Sequence, residues 1–562
     1  MSRRPLRSNF PRGSYLWAVR NAQWRALGIP EEDCEKPKIA IVNSSSELAS
    51  CFSHLDGVAE AMKAAIRAAG AVPFEIRTSA PSDFITGAGG RGAYMLATRD
   101  LITNDIEVAV EGAQLDGMVC LASCDKTVPG QLMAAARLNI PTLVVACGYQ
   151  PSGEYKGHHV DIEDVFIQSM HAVTGATNVD DVIGMSREAI RGPGVCSGMG
   201  TANSMHIVCE ALGMALPGST PIAANSDRMM AYVRQAGERI VQMVWDDLKP
   251  RDILTPGAFA NAVRAMLAVG GSVNTVKHLQ AVAAEGGIDV DIYRLFETCA
   301  NDTPVLAAVR PVGERTIEEF EAAGGAAAVL QQLRSRLDTS VMTVTGQTLA
   351  ANLATTSIAD ADVIRPLERP IATRPAIIVL RGNLAPDTGI VKAGIIERKS
   401  RRFTGPAICF DTSDAALQAL RDGTIQPGHV IVMRGAGVKG GPAMGGGASR
   451  VVFGIDGAGL GDQVAMLTDG HLSGLVCKGL VVAEVSPEAA VGGPLALVHD
   501  GDQITIDLDT RDLHLHVGEE ELTRRRTAWQ PAPPMFDRGW LKLYRANVGE
   551  TRAGVTLVQG KS

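Results

Sequence analysis

No stretch of this 562-residue chain holds the roughly 18 to 20 consecutive apolar residues that a bilayer-spanning helix needs, which excludes an integral helical membrane protein. Basic residues do not cluster either. Lys and Arg are spread along a chain of formal net charge −8, so no positive stripe is available for nucleic acid and a small-molecule partner is favoured. Cysteine is sparse and scattered: ten residues without a CxxC array make no disulfide framework and suit a reducing, cytoplasmic compartment. The N-terminal MSRRPLRSNFPRGSYLWAVRNAQWRALG lacks the apolar core of a secretory signal. It is basic and acid-poor, a composition shared with transit peptides, but the first strand begins soon after it, near Lys38.

The length exceeds what one ordinary core organises, so two domains are expected. From Lys38 to about Gly148 short apolar runs (KIAIVNS, VPFEIRTS, LDGMVCLAS, IPTLVVACG) alternate with helical patterns, among them a helix from about Met95. That alternation implies a mostly parallel sheet with crossover helices. Helical patterns continue to about Leu353, and then Pro366, Pro370, Pro375 and Pro386 open a region of short β-type runs (AIIVL, AICF, HVIVM, QVAML, LVVAEV, QITIDL). The fold class is therefore α/β: a mostly parallel α/β domain over residues 1–365 and a β-rich, barrel- or sandwich-like domain over 366–562. TAWQPAPPMFDRGW reads as a solvated tail before the C-terminus.

Ligands of parallel sheets bind beyond the carboxyl ends of the strands. Three such ends carry chemically interesting side chains: Cys51 after KIAIVNS, Asp83 after VPFEIRT, and Cys124-Asp125-Lys126 after LDGMVCLAS. A fourth, Cys196, lies in the glycine-rich GPGVCSGMGTANSM just before a helical run, whose first amides favour an anion. Cys120, Cys147, Cys209 and Cys409 sit in apolar runs and read as core. Three thiolates can hold an iron-sulfur cluster while leaving one iron open as a Lewis acid, and carboxylates suit a hard cation such as magnesium. Spacing alone does not decide this. Separated cysteines are more often unrelated than co-ligands, and Asp125-Lys126 alone is more simply a surface ion pair.

Longer stretches carry a more specific signal. LDGMVCLASCDKTVPGQLMAAARLNIP, GVCSGMGTANSM, EALGMALPGS, GGSVNTVKHL, RGNLAPDTG, MLTDGHLSG and VSPEAAVGGPLALVHDGDQITID resemble the dihydroxy-acid, 6-phosphogluconate and sugar-acid dehydratases over nearly the whole chain. The resemblance implies a metal-bearing N-terminal α/β domain, a β-rich C-terminal domain that closes the site, and a homodimer or dimer of dimers. It implies that Cys51, Cys124 and Cys196 hold a cluster, 2Fe-2S in preference to 4Fe-4S, and that Asp83, Asp125 and a carbamylated Lys126 hold magnesium. Ser473 matches the family's base. The implied reaction converts a 2,3-dihydroxy carboxylic acid, branched-chain or sugar acid, to a 2-keto acid: Ser473 removes the C2 proton and the C3 hydroxyl leaves.

The chain also departs from that pattern. Gly446 stands where the family has a glutamate ligand to magnesium, and the nearest following acid, Asp456, lies beyond an expected strand, VVFGI. Gly89-Gly90 replaces a common His-Glu pair, and Cys477 and Lys478 stand where threonine and arginine are usual. These changes predict a weakened magnesium site. The alternative they leave open is a cluster-bearing relative with little or no activity.

Overall fold

The computed structural model describes residues 4–393, 395, 401–444, 447–533 and 535–557, so Gly446 lies outside the described residues. The first half is built on four parallel strands, β1 (Lys38–Asn43), β2 (Val72–Arg77), β3 (Gly117–Ala122) and β4 (Thr142–Ala146), in the order β2-β1-β3-β4. β1, β3 and β4 are buried along their whole length, which is why they read as continuous apolar runs rather than as alternating ones. The helix Leu55–Ala68 crosses from β1 to β2, and the long helix between β2 and β3 spans Ala93–Ala113. A hairpin of β5 (Gly153–Tyr155) and β6 (His158–Val160) follows β4; no run in the sequence signalled it.

The second half is an eight-stranded, nearly closed barrel-like sheet. Its strands are β7 (Ile377–Leu380), β8 (Thr388–Lys392), β9 (Arg402–Phe410), β10 (Val430–Met433), β11 (Ala465–Thr468), β12 (Leu480–Ser486), β13 (Gln503–Asp507) and β14 (Asp512–Leu515). They are ordered β14-β13-β9-β10-β11-β12-β8-β7. The Arg381 amide donates to the Arg511 carbonyl (3.0 Å) and the Leu513 amide to the Arg381 carbonyl (2.7 Å), which joins the two edges. Of the two architectures left open by the sequence, the barrel is the one formed. Side chains on β7 alternate between two cores: Ile378 and Leu380 point to the barrel interior, whereas Ile377 and Val379 join the apolar cluster of the first half. β9 to β12 are parallel. The second half thus repeats the strand-helix-strand logic of the first, with helices Ser413–Arg421 and Gly447–Gly457 as crossovers.

Two local expectations fail. VVFGI is helical, not extended: Val451, Val452, Phe453 and Ile455 are all buried within Gly447–Gly457, and Phe453 meets Phe166 edge-on at 5.4 Å. A short run buried on every side has no period, so its composition cannot separate strand from helix. Cys409 is only half-buried, because several residues of β9 keep one face partly open, whereas Cys120, Cys147 and Cys209 are buried as anticipated. After the largely exposed tail, the helix Gly539–Asn547 returns Leu541 and Tyr544 to a small core with Leu96 and Ala97.

Candidate active site

The loops after β1, β2 and β3 emerge side by side. The Ser123 hydroxyl donates to the Cys51 carbonyl, tying the first loop to the third, and the Thr127 hydroxyl donates to the Cys124 carbonyl (2.9 Å) where the helix Thr127–Leu138 begins. The Cys196 turn is stitched to the end of β4: the Gln150 amide donates to the Val195 carbonyl (2.8 Å) and the Val195 amide to the Gly148 carbonyl (2.9 Å). Asn203, in the following helix Thr201–Ala211, donates its side-chain amide to the carbonyls of Cys196 and Gly198, both at 2.8 Å.

These ties bring the three thiols together. Cys51 and Cys124 are buried, Cys196 is half-buried, and all three are free. The Cys51 thiol is pushed well up by its hydrogen bond to the Cys124 thiol and by burial, with Cys196 adding to the effect. Cys196 is raised by burial first, and then by Glu163, Cys124 and Asp125. Free thiols gathered from three loops with no disulfide between them fit a metal cluster, whose binding takes the protons off its thiolate ligands.

Beside them is a charge cluster in which Lys126 is buried and the side chains of Asp83 and Asp125 stay 22% and 20% exposed. The Lys126 ammonium lies 2.6 Å from Asp83 Oδ2 and 3.6 Å from Asp125 Oδ2 and has no solvent exposure. Burial alone would lower it, but the two carboxylates outweigh burial and hold it above its ordinary value. Asp83 moves up as well, through burial and the neighbouring Asp125, against the pull of Lys126. Its Oδ1 is buried without a hydrogen-bond partner. An orphaned carboxylate oxygen beside a second carboxylate is a donor set that fits a hard divalent cation. The three residues are therefore not the surface ion pair that their types alone suggest.

The barrel supplies the opposite wall through the loop after β11. Asp469, fully buried, accepts from the amides of Gly435 (3.1 Å), Ala436 (2.8 Å) and Ala489 (2.9 Å) and so anchors TDGHLSG. Ser473 donates its amide to Ser449 Oγ (2.8 Å), while its own hydroxyl accepts from the Leu475 amide (3.3 Å). Gly474 packs onto the N-terminal half: a Cβ there would lie 2.6 Å from Ser272 Oγ and 3.0 Å from the Thr201 amide nitrogen. The Lys392 ammonium donates to the Gly474 carbonyl (2.7 Å).

Asp83, Cys124, Asp125, Cys196 and Ser473 all line one cavity of about 450 Å³. Much of its remaining wall is apolar, with Phe84, Met95, Phe166, Met170, Met444 and Leu475; Gly87 and Gly90 leave room, and Ser169, Thr201, Asn274 and Arg450 are among its polar residues. Cys51 stands behind Cys124 rather than on the wall. Cys477 and Lys478 point elsewhere: the Cys477 thiol meets the Pro311 carbonyl (3.2 Å), and Lys478 pairs with Asp456 (2.9 Å). Asp456 also contacts His171 (3.0 Å) and is not part of the cavity wall. One acid on the wall was signalled by no sequence motif. Glu163, in the first turn of the helix Ile162–Val173, is 3% exposed.

The sequence matches the family described as dihydroxy-acid/6-phosphogluconate dehydratase in both its parts, the N-terminal part over residues 36–352 and the C-terminal part over 362–555. The chain belongs to this dehydratase family. Proteins named dihydroxy-acid dehydratase are similar to it almost end to end. That of Ignicoccus hospitalis is 39% identical over 532 residues, covering 94% of this chain and 95% of the relative. Those of Methanothrix thermoacetophila and Caldicellulosiruptor bescii are 39% and 38% identical, each over 98% of this chain and 100% of the relative. The protein is accordingly a dehydratase, a hydro-lyase acting on a small molecule. Among the described residues no helix is long and apolar enough to cross a membrane.

Proposed function

We propose that this dehydratase converts a branched-chain 2,3-dihydroxy acid to the 2-keto acid. Cys51, Cys124 and Cys196 hold a 2Fe-2S cluster, and Asp83, Asp125 and a carbamylated Lys126 hold magnesium. The observation that carries the reading is the meeting of thiols, carboxylates and Ser473 around one cavity, much of whose other wall is apolar. When bound, the cluster and magnesium supply Lewis acidity to the substrate's oxygens. Phe84, Phe166, Met170 and Leu475 offer an alkyl branch a dry surface, whereas hydroxyls of a sugar acid set against these four side chains would lose water with no group on them to replace it.

Ser473 takes the C2 proton. Its hydroxyl is a poor base unless its anion is stabilised, and the Leu475 amide already points at that oxygen. The C3–O bond then breaks, the departing hydroxide and the abstracted proton leave as water, and the enol becomes the ketone. The reading includes a division of the chain near residue 365, a homodimer or dimer of dimers, and a cytoplasmic location.

The test is anaerobic purification followed by iron and sulfide assay and a substrate panel. The protein should be coloured, Cys124→Ser should lose most iron and sulfide, and 2,3-dihydroxyisovalerate should exceed gluconate, arabinonate and xylonate in kcat/KM. A colourless, iron-free protein with full activity overturns the cluster, and a preference for a sugar acid overturns the substrate.

A further inference from the structure

Resting on the magnesium reading above, we propose that Glu163 is a carboxylate ligand of the same divalent cation, doing the work that Gly446 cannot do. The two positions are far apart in sequence, and only the fold brings Glu163 to the cavity wall that Asp83 and Asp125 also line, near enough to Asp125 for the two carboxylates to repel.

The backbone of Glu163 is held rigidly. Asp161 caps the helix Ile162–Val173, accepting from the amides of Glu163 (2.8 Å) and Asp164 (3.0 Å), and Asp164 completes the capping box by accepting from the Asp161 amide (3.1 Å). The end of the helix is thus satisfied without the Glu163 side chain. That side chain turns inward instead. Its carboxylate fills the space beside the Cys196 turn: a Cβ on Gly198 would fall 1.9 Å from Oε2, and one on Gly200 3.3 Å from Oε1. Glycine at both positions lets the carboxylate reach the cavity.

Once there, it lacks a partner. Oε1 is buried with no hydrogen-bond donor, and no lysine, arginine or histidine among the described residues forms an ion pair with Glu163. The charges it senses are mostly of its own sign, from Asp161, Asp164 and Asp125; Lys392 is the opposing one, and its ammonium donates to Gly474. A carboxyl buried among acids keeps its proton until a cation is supplied, and a hard divalent ion shared with Asp125 would take that proton's place. Asp456, the acid nearest to position 446 in the following sequence, is committed to His171 and Lys478.

The experiment uses the cluster-containing protein stripped of divalent ions, with Mn²⁺ as the probe and free Mn²⁺ read by electron paramagnetic resonance. Glu163→Gln keeps the shape and removes the charge, so it should weaken Mn²⁺ binding at least about tenfold while the visible spectrum of the cluster is unchanged. Glu163→Asp should fall between it and the wild type. Adding Gly446→Glu to Glu163→Gln should recover most of the lost affinity. If Asp125→Asn weakens Mn²⁺ binding but Glu163→Gln does not, the assignment of Glu163 is overturned and the metal site stands. A cluster spectrum altered by Glu163→Gln, with Mn²⁺ affinity intact, places the carboxylate on iron and also overturns it. If neither substitution changes Mn²⁺ affinity, the magnesium reading itself falls.

Discussion

Gly474→Ala should cripple the enzyme although it adds a single methyl group next to, rather than at, the proposed base. The new Cβ would sit 2.6 Å from Ser272 Oγ, 2.9 Å from Ser272 Cβ and 3.0 Å from the Thr201 amide nitrogen. Apolar contacts settle at about 3.5 to 4.0 Å, so the loop must retreat by about 0.5 to 1 Å. Neither neighbour yields easily. Thr201 begins a fully buried helix, and Ser272 Oγ lies 2.9 Å from Thr201 Oγ1 and accepts from the Asn274 amide (3.2 Å). Retreat also stretches the buried Lys392–Gly474 hydrogen bond. Overpacking of this kind costs about 1–3 kcal/mol of stability. The catalytic effect should be larger in relative terms: moving a reacting group by about 1 Å lowers kcat by roughly 10²-fold. The assay is kcat with iron content and circular dichroism measured on the same samples. Because the clash is local, Ser272→Gly should partly rescue Gly474→Ala, and the double variant should exceed the product of the single effects. A Gly474→Ala enzyme with wild-type kcat, or a loss that Ser272→Gly leaves untouched, refutes the reasoning.

Ser473→Ala should lower kcat by roughly 10²–10⁴-fold and abolish exchange of the substrate's C2 proton with deuterated solvent, with iron content unchanged. If the hydroxyl serves only the Leu475 amide, the variant should instead lose about 1 kcal/mol of stability and keep its exchange rate. Burial depresses His206 to about 4, below the ordinary imidazole value of 6.5, with the Ser123 and Ala122 carbonyls opposing the shift. A depressed base contributes stability that is whole above pH 6.5 and is lost as pH falls toward 4, here about 3 kcal/mol. Urea midpoints of His206→Gln should therefore fall less steeply than the wild type's over that window, and parallel curves would contradict the assignment.

Much of the first half was legible from residue order, because a parallel sheet buried on both faces leaves apolar runs separated by helical periods and places its loops at one edge. Cys51, Asp83, Cys124, Asp125 and Lys126 were accessible to that reasoning, since strand ends can be located without knowing what packs across from them. The barrel was legible as a set of runs but not as a closed sheet: closure depends on Arg381 meeting Arg511 and Leu513, a pairing across about 130 residues that no local pattern encodes. VVFGI was misplaced for a related reason, since a segment buried on all sides by Phe166 and its neighbours has no exposed face to set a period. Ser473 could be matched by its motif, yet its distance from the N-terminal half is set by the contact of Gly474 with Ser272 and Thr201. Glu163 marks the limit most sharply. Its residue type and its place in the first turn of a capped helix are those of an ordinary helix start, and only the tertiary packing of that helix against the Cys196 turn makes it a buried, unpartnered carboxylate on the cavity wall. Local sequence determined which groups could carry the chemistry; long-range packing decided which of them share a space without water, where charge must find a partner.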